Sequence, residues 1–80
     1  MTARVRVRVD ELGRIATAQG LRTRYALAKR LGVNRSTVGR VLDGDRAPGQ
    51  QFIAATIQEL GVGFDAVFEV VDGVVDEVPA

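Results

Sequence analysis

The sequence predicts a mainly α-helical domain of four to five short helices with a small β-sheet. Three observations predict it. Apolar residues recur at helical spacing in four stretches between residues 10 and 60, and Gly20, Gly32, Gly44 and Gly61 close them. Arg4-Val5-Arg6-Val7-Arg8-Val9 alternates strictly, the period of a strand with one apolar face. Late in the chain, two β-branched runs flank Asp72-Gly73, a pair that favours a hairpin turn. Eighty residues at 46% hydrophobic content can fill one core but not two, so residues 1–80 read as a single domain.

Each element has a local reason. The first strand is expected over 4–9. Asp10 is expected to cap a helix over Asp10–Gln19, with Leu12, Ile15 and Ala16 on one face, and Leu21 then returns to the core. Thr23 is the N-cap of a second helix that runs to Leu31 and buries Leu27, Ala28 and Leu31. Asn34–Leu42 forms a third helix. Pro48 and Gly49 mark a loop before a fourth, whose stripe is Phe52, Ile53, Ile57 and Leu60. Phe64–Val67 makes a short fifth helix. Residues 68–71 form a strand beside 4–9, where Glu69 faces Arg4, Arg6 or Arg8 as an opposite-charge partner. The run 74–78 is a candidate third strand, and Pro79 ends any pairing there. Phe52, Phe64 and Phe68 belong to the core.

Composition excludes several classes. With no Cys and no His, the usual nucleophile–base pairs are missing, and no Gly-rich phosphate loop is present. The chain therefore reads as a non-enzyme with no cofactor, no metal and no small-molecule ligand. No apolar run approaches the ~20 residues that span a bilayer, and the charged start does not resemble a signal peptide, so a cytoplasmic location is expected. The net charge of +1 conceals a segregation. Residues 20–51 carry seven bases (Arg22, Arg24, Lys29, Arg30, Arg35, Arg40, Arg46) against Asp43 and Asp45, whereas residues 52–80 carry six acids and no base. Such a basic pole suits nucleic acid, and the acidic end should point away from it.

The pole coincides with a twenty-residue unit, Arg24–Asp43. Ala28 lies mid-way along the first of its two helices, where a second helix can cross closely. Gly32 ends that helix, Val33 anchors the turn, and Asn34 can cap the next. Val38 and Val41 face inward together, which leaves Arg35, Ser36, Gly39 and Arg40 outward. This spacing resembles the Cro and phage-repressor type of helix-turn-helix, the XRE or lambda-repressor-like family. The likeness is close over 24–43 and looser from Leu12 to Phe68, and Leu42-Asp43-Gly44-Asp45-Arg46-Ala47-Pro48 is similar to the family's loop after the recognition helix.

The resemblance implies a sequence-specific double-stranded DNA-binding regulator, with helix 34–42 in the major groove and repression by occupation of an operator. It places Arg35, Ser36 and Arg40 at base-reading positions, where arginine can bond guanine O6 and N7, and Ser36 suits either a base or a phosphate. Gly39 departs from the polar reader many relatives carry, and implies close approach to the groove, beside a thymine methyl. Arg24, Thr37 and Arg46 are phosphate candidates, as are Gln50 and Gln51 at the start of the fourth helix. Arg22, Lys29 and Arg30 add to the field. Tyr25 either stacks on a sugar or is partly buried. A homodimer through the β edge of 4–9 and 68–78 is expected, because one unit covers only a few base pairs.

Two other readings use other residues. In a ribbon-helix-helix arrangement the 4–9 strand would read DNA through Arg4, Arg6 and Arg8. In an antitoxin-like interaction module the acidic, β-prone tail 69–78 would cover a basic partner.

Overall fold

The computed structural model describes residues 3–72. They form β1 (Ala3–Val7), α1 (Val9–Ala18), α2 (Arg24–Leu31), α3 (Arg35–Leu42), α4 (Gln50–Leu60), α5 (Phe64–Val67) and β2 (Phe68–Asp72). The domain is mainly helical, with five helices and one antiparallel two-stranded sheet among the described residues. None of these helices is long and apolar enough to cross a membrane.

The alternating segment becomes β1 and pairs with β2, with Val5 opposite Val70, Arg6 opposite Glu69 and Val7 opposite Phe68. The strand ends at Val7 rather than Val9. The Arg8 amide donates to the Val67 carbonyl (2.8 Å), and the Arg8 carbonyl accepts from Leu12 N–H (2.9 Å), which turns the chain into α1. These two bonds of Arg8 end the alternation as a strand, and Val9 opens the helix 45% exposed. Asp10 is not the cap: Arg8 holds that position, and no side chain caps the helix. Asp10 and Glu11 instead lie in the first turn, where their charge complements the helix dipole. Of the three arginines offered to Glu69, Arg6 takes it, Nε to Oε2 at 2.6 Å, while Arg8 stands at 3.9 Å and Arg4 opposes Val71.

The second helix is built as expected. Thr23 Oγ1 accepts from Ala26 N–H at 3.0 Å, and Leu27, Ala28 and Leu31 are buried. Gly32 takes φ +71°, a left-handed conformation that strains a side-chain-bearing residue, and this lets Val33 N–H reach back to the Ala28 carbonyl (3.1 Å). The third helix starts at Arg35. Asn34 occupies its N-cap position, but its side chain makes no capping bond.

The core joins all layers: Val7, Leu12, Ala16, Leu27, Leu31, Val38, Val41, Phe52, Leu60, Val67 and Phe68 are buried in one cluster, with Leu21, Val33, Ile53 and Ile57 partly buried against it. Phe68 is its centre, edge-on to Phe52 with centroids 6.3 Å apart and stacked on the half-buried Phe64 at 5.3 Å. The fully buried line of α4 is Phe52, Thr56 and Leu60, not the all-apolar stripe of the sequence reading. Thr56 can lie there because its hydroxyl donates to the Phe52 carbonyl at 2.8 Å. The turn after Asp72 and the run 74–78 lie outside the described residues.

Candidate nucleic-acid interface

The outward face of α3 follows from what its inward face buries. Val38 is fully buried and Val41 nearly so, and their spacing turns Arg35, Ser36 and Arg40 to solvent. Gly39 is half-buried between them, as is Thr37. The first turn of α2 lies alongside this face. Tyr25 is exposed rather than partly buried, at 57%, and the Arg35 guanidinium carbon stands 6.0 Å from its ring centroid. That cation–π contact gives Arg35 a preferred direction.

Arg24 does not stand free. Its Nη2 donates to Asp43 Oδ1 at 2.8 Å and its Nη1 to Oδ2 at 3.3 Å, a fork joining the start of α2 to the end of α3. The hydrogen bond from Arg24 holds the Asp43 carboxyl below the usual carboxylate range, and the pair stabilises the arginine's charge in return. The expected role of Arg24 as a phosphate clamp therefore meets a competitor. Its Nη1 lies 3.5 Å from the place a Cβ on Gly39 would occupy. Asp43 was assigned no role from the sequence. The signal was available: Arg35, Gly39 and Asp43 are spaced four apart, so Asp43 continues an outward stripe. Tyr25, as the support for Arg35, was also missed.

Three of the remaining phosphate candidates converge. Thr37, Arg46 and Gln51 line one cleft of about 340 Å³ between the N-terminal ends of α3 and α4, together with Asn34 and Gly49. Neither helix end carries a side-chain cap there, so backbone N–H groups remain available. Gln50 is exposed on the first turn of α4 but does not line the cleft. Pro48 is buried beneath the loop that carries Arg46. Arg46 also borders a larger groove of about 720 Å³ shared with Arg4, Arg6 and Arg8, on which Asp10, Glu11, Asp43, Asp45 and Glu69 impose acidic charge as well.

Comparison of the chain with protein-family models, with curated proteins and with solved structures finds no match.

Proposed function

We propose that this chain is a sequence-specific double-stranded DNA-binding regulator of the lambda-repressor-like helix-turn-helix type, acting as a repressor with α3 in the major groove. The observation that carries the reading is the division of α3. Val38 and Val41 are locked into the core, while Arg35, Ser36 and Arg40 stand outward beside a cleft lined by Thr37, Arg46 and Gln51. A base-reading edge flanked by a cleft with Thr37, Arg46 and Gln51 as hydrogen-bond donors suits docking in a groove, with base contacts on one side and backbone contacts on the other. The ribbon reading is weaker, because Arg6 is already bonded to Glu69 and one edge of β1 is occupied by β2. Among the described residues each strand of this short sheet pairs on one side only, and with Val70 exposed the outer edges offer the dimer contact that paired half-sites need.

Site selection from a random duplex pool, followed by titration of two variants, tests the proposal. Arg40→Ala should cost about 1–3 kcal/mol on the selected site and much less on scrambled DNA. Arg46→Ala should weaken all duplexes alike and make the log–log salt slope shallower by about one unit. The selected sequence should hold two half-sites about 34–36 Å apart. A chain that selects no sequence, or on which neither substitution has an effect, refutes the reading.

A further inference from the structure

The notable absence on α3 is a side chain at Gly39, in the middle of the outward stripe. The notable presence is a guanidinium lying over that spot. Arg24 reaches from α2 so that Nη1 sits within van der Waals distance of a notional Gly39 Cβ (3.5 Å), and Asp43, at the C-cap of α3, grips it through both terminal nitrogens. Arg24 and Asp43 are each about half exposed, so protein does not cover the fork.

We propose that Arg24, braced by Asp43 across Gly39, reads a guanine edge and replaces the side chain that α3 lacks at this position. The proposal rests on the DNA-binding reading above and changes the role of Arg24 within it, from backbone clamp to specificity-determining residue. An arginine has five N–H donors, and Asp43 engages one on each Nη, so three remain. They include Nε–H and the outer N–H of the neighbouring Nη, the parallel pair that matches guanine O6 and N7. The brace fixes the plane of the guanidinium, which is what bidentate readout needs and a phosphate contact does not. Asp43 also disfavours a phosphate partner. A phosphodiester bonded to Arg24 would approach a carboxylate that already lies 2.8 Å from the same group, and like charges repel. A base edge is neutral, and a carboxylate beside it can accept from the N4 amino group of cytosine.

The test uses the full chain, its selected duplex, and a set of duplexes with each base pair replaced in turn, at several salt concentrations. Arg24→Ala should lose about 5- to 150-fold on the selected duplex, lose little on scrambled DNA, and become indifferent to one G·C position. Arg24→Lys should behave the same way, since an ammonium cannot form the parallel pair. Asp43→Asn should relax selectivity at that same position. Circular dichroism of each variant confirms that the fold is retained, and the Lys and Asn variants keep the test valid if the Ala variant misfolds. If Arg24→Ala weakens every duplex equally and flattens the salt slope by about one unit, Arg24 is a phosphate clamp and the inference fails while the DNA-binding reading stands. Tighter binding of all duplexes by Asp43→Asn overturns it in the same way, because Asp43 would then be only a competitor. If the unaltered chain selects no sequence, both fall together.

Discussion

Gly39→Ala separates the folding cost of a helical glycine from its use. Gly39 has an ordinary helical backbone, not one of the positive-φ conformations found at Gly20, Gly32, Gly44 and Gly61. Alanine at such a position is favoured over glycine by about 0.8–1.0 kcal/mol. The added Cβ would meet only Arg24 Nη1 at 3.5 Å, an ordinary contact with the far end of a flexible side chain, so no clash cancels the gain. Gly13, within α1, is the reference: a Cβ there meets nothing within 4 Å. Both substitutions should therefore stabilise the domain by about 1 kcal/mol, raising Tm by about 4–8 °C at this chain length. Urea and thermal unfolding followed by circular dichroism measure this. Their effects on DNA should diverge. Gly13→Ala leaves binding unchanged, whereas Gly39→Ala puts a methyl group into the space through which α3 approaches the groove and lowers affinity for the selected duplex. If Gly39→Ala destabilises while Gly13→Ala stabilises, the Arg24 fork is too rigid to yield and the packing argument is wrong. If Gly39→Ala raises both stability and affinity, the glycine has no role in recognition.

Phe68→Ala removes the side chain that contacts both Phe52 and Phe64 at the junction of α5 and β2. It should cost about 3–5 kcal/mol, against a total of about 4–12 kcal/mol for a domain of this size, so urea titration should show a severely weakened or unfolded chain; a loss below ~1 kcal/mol would contradict its central place. The hydrogen bond from Arg6 holds the Glu69 carboxyl below the usual carboxylate range, so the unfolded chain binds its proton more readily and the pair's stabilisation is present at neutral pH and lost as pH falls through the lowered folded value. Glu69→Gln should accordingly be less stable than the parent at neutral pH and converge with it in acid, by urea unfolding across that range; a gap that persists in acid would show that the pair contributes nothing through its charge.

The elements that sequence exposes best are those whose local signals agree. Thr23, the Leu27–Ala28–Leu31 face and Gly32 all point to the same helix and the same end, and α2 forms as read. The start of α1 is a conflict, and alternation loses it. Val9 continues the strand pattern, but the Arg8 carbonyl already accepts from Leu12 N–H, which puts Val9 in the first turn of α1. Thr56 escapes an apolar-stripe argument because its polarity is cancelled locally, by its own helix's carbonyl. The outward residues of α3 were legible because they are the complement of Val38 and Val41. The Arg24–Asp43 fork was not, since it joins residues nineteen apart whose proximity depends on how α2 and α3 pack.

That fork bears on how a chain of net charge +1 could recognise DNA. A protein that binds through its field needs many unpaired cations, and each phosphate it neutralises adds to a steep salt dependence. Here the basic pole contains just two acids, Asp43 and Asp45, and one of them is used on Arg24. The loss of field would be wasteful if Arg24 only held the backbone. It is reasonable if orientation matters more than charge: weak attraction to arbitrary DNA keeps the competing sites weak, while braced donors retain their contacts at the right one. Arg35 over Tyr25 follows the same logic, with a ring in place of a carboxylate. On the proposed reading, two of the arginines that read bases beside Arg40 have their directions set by protein neighbours before any DNA arrives, so less side-chain freedom is lost on binding.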